Sequence, residues 1–535
     1  MKKRNASEDN SRPSAPFERQ FNTVSSVSTE QFPIYENAES RTPQQFNTVS
    51  SVHTEDFYIY EDPEPYTPQK RFFWTQLIVA FAVSMGLLLG GFTRGYSEPQ
   101  FRISSLSKIN ADDLIEIDWA GKLSSLAAIF GSLLGPVSIY IGRRYILMGA
   151  GVPYFIGWIV IASVPNRHLA IAGQVLCGIC AGVVASAVPV YIVETVQSEV
   201  RGALGLLPIV FRYSGALIIY YSGANLDKTV YIAAALSVLY MLLMFATSES
   251  PTFYIAKDRT YSARKALQWL RGKNYNIENE IQDLRLFQRE ADQTNVFKQM
   301  FHMRYISTVL ISLGLMLFQQ FSGKDVIYYG SRVMIQKSSG RAEVQSFTNI
   351  LGITSVVSTF VAVVLIDLIG RKILLYISSG SMIASFVTLV SYVHIHDGTS
   401  DNTSVGWLPE ACILLHMAGF SLGFGSIPWL MLGEILPLKI RVTATSFIVA
   451  IDLTLTYFAG TIFRNLINSD TVHTALLVLV VIRILEILFV KFCVPETRGK
   501  SLEEIEMNLT QGVKSINSKG RAVANANADF MRYLK

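Results

Sequence analysis

Two adjacent amides, a hydroxyl, an ammonium and a carboxylate fall within the stretch FQQFSGKDVIYYG (Phe318–Gly330), inside a long apolar run. Gln319, Gln320, Ser322, Lys324 and Asp325 do not suit lipid. Polar groups at membrane depth face a bundle interior or a water-filled cavity. An amide both donates and accepts hydrogen bonds. The chemistry indicated is recognition, not bond making. There is no Walker loop and no dinucleotide fingerprint, and the seven histidines are scattered. The expectation is therefore no enzyme, no cofactor, no metal site and no nucleic-acid partner.

Such residues need a scaffold that holds them at depth. Half of the 535 residues are hydrophobic and 16% are charged. Apolar segments of spanning length recur from Phe72 to Cys493, which excludes a single soluble core and makes a lipid bilayer the partner. The pattern predicts an all-α membrane protein with twelve transmembrane helices. Six spans are expected at 72–96, 119–141, 145–164, 169–193, 203–223 and 228–247. Six more are expected at 303–334, 345–366, 373–394, 408–433, 441–463 and 472–493. On this reading residues 1–69 are a disordered tail, 70–247 and 303–494 are six-helix halves, 248–302 is a linker of short amphipathic helices, and 495–535 is a second tail.

Orientation follows from basic residues in short loops. Lys70, Arg71, Arg143, Arg144, Arg201, Arg371, Lys372, Arg441, Arg498 and Lys500 all fall on one side, which the positive-inside rule makes cytoplasmic together with both termini. The plasma membrane is the expected location. The opposite side holds Asp112, Asp113, Glu116 and Asp118, and an N-glycosylation acceptor at Asn402. The matches at Asn5 and Asn508 fall on the cytoplasmic side and are expected to be silent. The basic N-terminus has no apolar h-region, so no cleaved signal peptide is expected. Cys177 and Cys180 form a CxxC pair among Gly178, Ala181 and Gly182, a small-residue context that indicates buried packing and not redox chemistry.

The N-terminal tail carries a tandem repeat. Residues 20–44 and 45–69 are identical at 18 of 25 positions. Two readings stay open: a duplicated docking or phosphorylation motif for a cytoplasmic partner, centred on FxIYE, or a neutral duplication.

The two halves echo each other. Gly142-Arg143-Arg144 recurs as Gly370-Arg371-Lys372, and Glu194…Arg201 as Glu434…Arg441. Parallel repetition of this kind predicts a transporter whose site lies at the midplane between the halves. Glu194 and Glu434 each end a span and are expected to face Arg201 and Arg441 at the start of the next. With Glu249, Asp367, Arg371, Glu496 and Arg498 they would form a cytoplasmic gate that holds when the cavity faces outward. Exposed pairs contribute ~0–1 kcal/mol each, so only a network could bias the equilibrium. The glycines and proline of SLGFGSIP (Ser421–Pro428) would let that helix bend beside the cavity, and Trp429 offers it a flat apolar face. Gly131, Gly135, Gly178 and Gly182 suit close helix packing.

Seven motifs in order give a resemblance to a known family. They are IGRR (Ile141–Arg144), PVYIVETVQSEVRGALGLLP (Pro189–Pro208), ESPTF (Glu249–Phe253), QQFSG (Gln319–Gly323), DLIGRK (Asp367–Lys372), GFGSIPWLMLGEILPLKIR (Gly423–Arg441) and VPETRG (Val494–Gly499). The chain resembles the sugar porter family of the major facilitator superfamily, most of all its insect trehalose-transporter-like facilitators. The resemblance implies alternating-access transport of a glucose- or trehalose-like sugar, with Gln319 and Gln320 bonding sugar hydroxyls.

Several positions depart from the family pattern. Lys324 and Asp325 replace an Ile-Asn pair, Asp452 replaces a ligand Asn, Arg212 replaces an uncharged cavity residue, and Ile209 occupies a polar position. Four charges thus approach one cavity, where mutual pairing is the economical arrangement. Three explanations compete: a polar or charged solute, an internal pairing that leaves a sugar site nearby, or a non-transporting sensor or scaffold. The first-half gate is also thinned, with Ile139 for an acid, Gly173-Gln174 for Gly-Arg, and SESPT for PESPR, so the inward-closed state should be held less firmly. Ser97 stands where proton symporters carry Asp, which favours facilitated diffusion, although Glu98, Asp325 and Asp452 keep symport open.

Overall fold

A backbone in lipid must satisfy its own hydrogen bonds, and an α-helix does so within one segment. In the computed structural model, every regular element among the described residues is helical. Those residues are 70–97, 111–163, 167–222, 226–272, 275–289, 299–303, 305–324, 341–396, 407–467 and 472–510. The tandem repeat, Glu98, Asp325 and Asn402 lie outside them.

The first half comprises α1 (Lys70–Ser97), α2 (Ala111–Leu133), α3 (Arg143–Ser163), α4 (Arg167–Thr195), α5 (Arg201–Ser222) and α6 (Leu226–Phe245). Three short helices follow: α7 (Pro251–Ala256), α8 (Thr260–Arg271) and α9 (Ile277–Arg289). The second half comprises α10 (Ile306–Gln320), α11 (Arg341–Ile369), α12 (Arg371–His396), α13 (Leu408–Leu422), α14 (Ile427–Ile435), α15 (Arg441–Ile467) and α16 (Val472–Phe492), and α17 (Leu502–Thr510) ends the described chain. Among the described residues ten helical stretches are long and apolar enough to cross a membrane, with α13 and α14 counting as one broken span. The other two expected spans correspond to α10, a 15-residue apolar helix, and α16, a 21-residue helix that carries Arg483 and Glu486. The α2 helix starts at Ala111, earlier than its apolar run, so Asp112, Asp113 and Glu116 fall in its first turns.

Within the first half α1 packs on α4 and α5, α2 on α4, and α3 on α4 and α6. Within the second, α12 packs on α13 and α16, and α11 on α13. The halves meet through α5 with α11, α2 and α4 with α15, and α14 with α4 and α5. The α2–α4 seam is as close as its glycines allow. A Cβ on Gly131 would lie 2.0 Å from the Ile179 carbonyl oxygen, and one on Gly182 2.0 Å from that of Ala128. Cys177 and Cys180 are free thiols buried in the same core.

The linker helices bury Ile255, Ala263, Leu267, Ile277, Ile281 and Leu284 against one another. Arg271, at the end of α8, donates to the Thr195 carbonyl at the C-terminus of α4 (2.7 Å) and pairs with Glu280 (3.0 Å). One guanidinium thus caps a transmembrane helix and pins the linker to it, which defines a linker face of the molecule.

Two helices break at depth. After α10 the chain turns through Phe321–Gly323, and Gly323 has φ of +82°. Between α13 and α14, Gly423–Ser426 form a second turn in which the Gly425 N–H reaches back to the Phe420 carbonyl (2.6 Å). A Cβ on Gly323 would also lie 2.5 Å from Phe386 Cζ. Gly323→Ala is therefore expected to destabilise by on the order of 2 kcal/mol or more, through backbone strain and overlap together. Gly380→Ala, in α12 with nothing within 4 Å of a new Cβ, should be neutral or slightly stabilising. Thermal unfolding of the detergent-solubilised variants checks the pair.

Candidate transport site

A cavity of ≈ 120 Å³ lies between the halves, lined from α1, α5, α10, α11, α13 and α14. Its polar wall is Arg94, Arg212, Gln319, Gln320 and Lys324, and Trp429 closes one side. Trp429 also lines a smaller apolar void with Ile209, Pro208 and Leu430. The indole is therefore a partition between the polar cavity and a greasy seam.

The amides are not equivalent. Gln319 Nε2 donates to the Gly425 carbonyl (3.0 Å), satisfying a group released by the α13–α14 break. Its Oε1 is buried and takes no hydrogen bond among the described residues. Gln320 is fully engaged: Nε2 donates to Asp452 Oδ1 (2.5 Å) and Oε1 accepts from Lys324 Nζ (2.8 Å). Of the four charges expected to pair, Asp325 lies outside the described residues, and the other three are arranged as follows. Lys324 and Asp452 are joined through an amide, because Asp452 is 1% exposed and sits behind Gln320. Arg212 instead lies over the Trp429 ring, 5.0 Å from its centroid, and makes no ion pair among the described residues. Such a stack retains the in-plane N–H donors for other partners.

Ser322 is placed differently from the expectation. It is fully buried outside the cavity wall, and its Oγ accepts from the Lys324 N–H (3.3 Å), because the turn after α10 directs it into the protein. Arg94, Tyr213 and Tyr220 line the cavity without having been singled out from the sequence. Arg94 reads there as the basic end of a span, and the tyrosines as ordinary aromatic positions.

The linker face carries two ion networks of matching design. In the first half Arg143 pairs with Glu194 (3.2 Å), and Ser250 donates to the same carboxylate. Glu249 accepts from the N–H groups of Arg143 (3.0 Å), Arg144 (3.1 Å) and Ser250 (2.9 Å). Burial pushes the Glu249 carboxyl above its ordinary range, and the N–H groups of Ser250 and Arg144 pull it back. In the second half Arg371 pairs with Glu434 (2.9 Å), and Thr497 donates to Glu434 (2.6 Å). Glu496 accepts from the N–H groups of Arg371 (3.2 Å), Lys372 (3.0 Å) and Arg498 (3.0 Å).

These partners correct the sequence expectation. Glu194 and Glu434 bond Arg143 and Arg371, not Arg201 and Arg441, because the acid and the Gly-Arg turn lie on neighbouring helices of one half. Arg201 donates to the Lys500 carbonyl (3.3 Å) and Arg441 to that of Leu436 (3.0 Å). Each lies in the field of the other half's acid, Arg201 near Glu434 and Arg441 near Glu194. Arg498 is exposed and contributes its backbone. Asp367 pairs with Arg371 (3.1 Å) and accepts from the Ala203 N–H (2.7 Å), so a second-half acid caps the first turn of α5 across the interface. Ile139, at the equivalent first-half position, has no group that could cap α15. Gln174 does not belong to this face. Its Nε2 donates to Ser97 Oγ (2.9 Å) at the opposite end of α4.

The α16 helix holds charges that sequence reasoning passed over as part of an apolar span. Arg483 and Glu486 are both fully buried and paired with each other. Their three-residue spacing on one helix face was the available signal.

A cavity shared by two repeated helical halves, with ion networks at one face, defines a membrane transporter, not an enzyme. Residues 88–509 match the family described as "Sugar (and other) transporter". The chain belongs to that family. It is 46% identical over 461 residues to the facilitated trehalose transporter Tret1 of Bombyx mori, covering 85% of this chain and 91% of the relative. It is 36% identical over 455 residues to the Tret1 of Anopheles gambiae, covering 84% of this chain and 57% of that one. Among solved structures, the proton:xylose symporter XylE bound to 6-bromo-6-deoxy-D-glucose superposes with a TM-score of 0.70 at 20% identity, covering 82% of this chain and 99% of that one. The fold is that of the major facilitator superfamily.

Removing one member of a buried charge network leaves the others uncompensated. Arg371→Ala, which strands Glu434 and Asp367, is expected to destabilise the second half by about 3–5 kcal/mol and to loosen the linker face through the Asp367 cap on α5. A thiol introduced at Ser446, 1% exposed on α15 near that face, should then react several-fold faster from that side, measured in a Cys493→Ala background.

Proposed function

We propose that the protein carries a small sugar, glucose- or trehalose-like, across the plasma membrane by alternating access and facilitated diffusion. The observation that carries this reading is the cavity between the halves together with the paired networks that seal the linker face. Both termini and the linker are placed in the cytoplasm, with Asn402 outside as a glycosylation site. The repeated tail is free to engage a cytoplasmic partner through its FxIYE motif. The halves are taken as 70–247 and 303–494, joined by 248–302.

In this reading the solute enters from the side opposite the linker and meets three unequal groups. The uncommitted Gln319 Oε1 accepts from a hydroxyl. Arg212 supplies donors, and the Trp429 face receives C–H groups once the guanidinium moves aside. Gln320 acts at one remove, holding Asp452 and Lys324 in a neutralised set. Exchange to the inward state requires the Arg201 and Arg441 fields and the Asp367 cap to be given up. Facilitated diffusion is supported by the Ser97–Gln174 bond, since neither group titrates where a symporter's carboxylate would stand.

Uptake of radiolabelled glucose and trehalose into proteoliposomes tests the proposal. Saturable uptake is expected to reach the external concentration and no further, with or without an imposed proton gradient. Gln319→Ala should raise KM roughly tenfold through loss of a solute bond and of the Gly425 support. Accumulation driven by the proton gradient would establish symport, and binding without flux would establish a sensor. A sugar acid that outcompetes both neutral sugars would show that Arg212 sets specificity.

A further inference from the structure

We propose that Arg483, neutralised by Glu486, is a positioning residue for the transport site, acting on the main chain either side of Gln319 and Gln320. This rests on the reading above that the two glutamines belong to the solute site.

The turn after α10 takes the main-chain donor from one carbonyl. Phe321 N–H still reaches the Leu317 carbonyl (3.1 Å), but Ser322 N–H goes to that of Gln319 (3.3 Å). The Phe318 carbonyl thereby loses the i+4 donor that a continuing helix would supply. Water does not serve such a group at membrane depth, so a protein donor must. Nη2 of Arg483 bonds it, and bonds the Phe321 carbonyl as well, at 2.9 Å each. Phe318 and Phe321 flank the two glutamines directly, so one guanidinium fixes the segment from both ends. The direction of Gln319 toward Gly425 and of Gln320 toward Asp452 follows from that grip.

The charge has its own support. Glu486, one turn further along α16, pairs with Arg483 and accepts a hydrogen bond from Ser379 of α12. Arg483, Glu486 and Ser379 are all fully buried, and none lines the cavity. An ion pair replaceable by apolar side chains would be an inefficient way merely to glue α16 to α12. A guanidinium whose Nη1 is held by Glu486 while Nη2 meets two carbonyls does what an apolar residue cannot. Sites of this kind lose function when the supporting layer is slack by a fraction of an ångström.

The test uses purified full-length protein in proteoliposomes, with glucose and trehalose as probes, both for uptake and for quenching of tryptophan fluorescence. Two variants are compared with wild type: Arg483→Leu with Glu486→Leu, which removes the pair without stranding a charge, and Arg483→Lys, which keeps the charge but not the fork. The double variant is expected to raise KM and Kd about tenfold, with Vmax per monodisperse transporter changed less than about twofold. Arg483→Lys should fall between it and wild type. A folded double variant with wild-type KM and Kd overturns the proposal, as does a fall in Vmax alone, which marks a purely structural pair. Should the double variant not fold, wild-type KM and Kd in Arg483→Lys overturn it equally. A wild type that binds but does not transport refutes the transport reading, while the Kd comparison still decides the role of Arg483.

Discussion

Where a helix stops inside a membrane, its last carbonyls must find donors within the protein, and this requirement organises the second half of the transporter. Two breaks face one cavity. The one after Gln320 frees the carbonyl of Phe318, which Arg483 takes together with that of Phe321, and the one before Ile427 frees that of Gly425, which Gln319 takes. Each break is thus satisfied by a side chain from another helix, and the two are mechanically joined through Gln319. Gln319 therefore has a structural duty in addition to the solute contact proposed for it.

The linker face solves a different problem with repeated parts. Arg143, Glu194, Glu249 and Ser250 in one half correspond to Arg371, Glu434, Glu496 and Thr497 in the other. Even the accessory cation is repeated: Arg144 bonds the Phe245 carbonyl (2.6 Å) and Lys372 that of Lys491 (3.1 Å). These sets tie each half to itself. Ties between halves are fewer and uneven, with Asp367 capping α5 and no partner to that bond at Ile139. Rigid halves joined by a sparse seam are what rocking between two states requires.

Much of this was legible in the sequence because membrane physics is restrictive. Apolar length gave the spans, and duplicated Gly-Arg and Glu…Arg spacings gave the halves. The glycines of SLGFGSIP marked a break, and Gly131 and Gly182 marked a tight seam. What sequence could not give was partner choice. Glu194…Arg201 is a close pair along the chain, yet Glu194 bonds Arg143, 51 residues away. Gln174 looked like a gate residue by its motif and lies instead against Ser97. Arg483 and Glu486 were hidden because hydropathy averages over a window, and the many leucines, valines and isoleucines around them outweigh two charged residues. Ser322 shares a motif with two cavity residues but faces the other way, since a turn changes direction at every residue.

The Arg212 stack on Trp429 has a consequence for throughput. In the proposed mode of binding, a ring set against the indole must first displace a guanidinium worth about 0.5–2 kcal/mol, which weakens apparent affinity roughly 2- to 30-fold. The occupant already in place acts as a built-in competitor. For a carrier that only equilibrates its solute, loose binding is an asset: release is quick, and the rate rises with supply over a wide range before it saturates. A site that held its cargo tightly would run at one constant speed regardless of how much sugar was waiting.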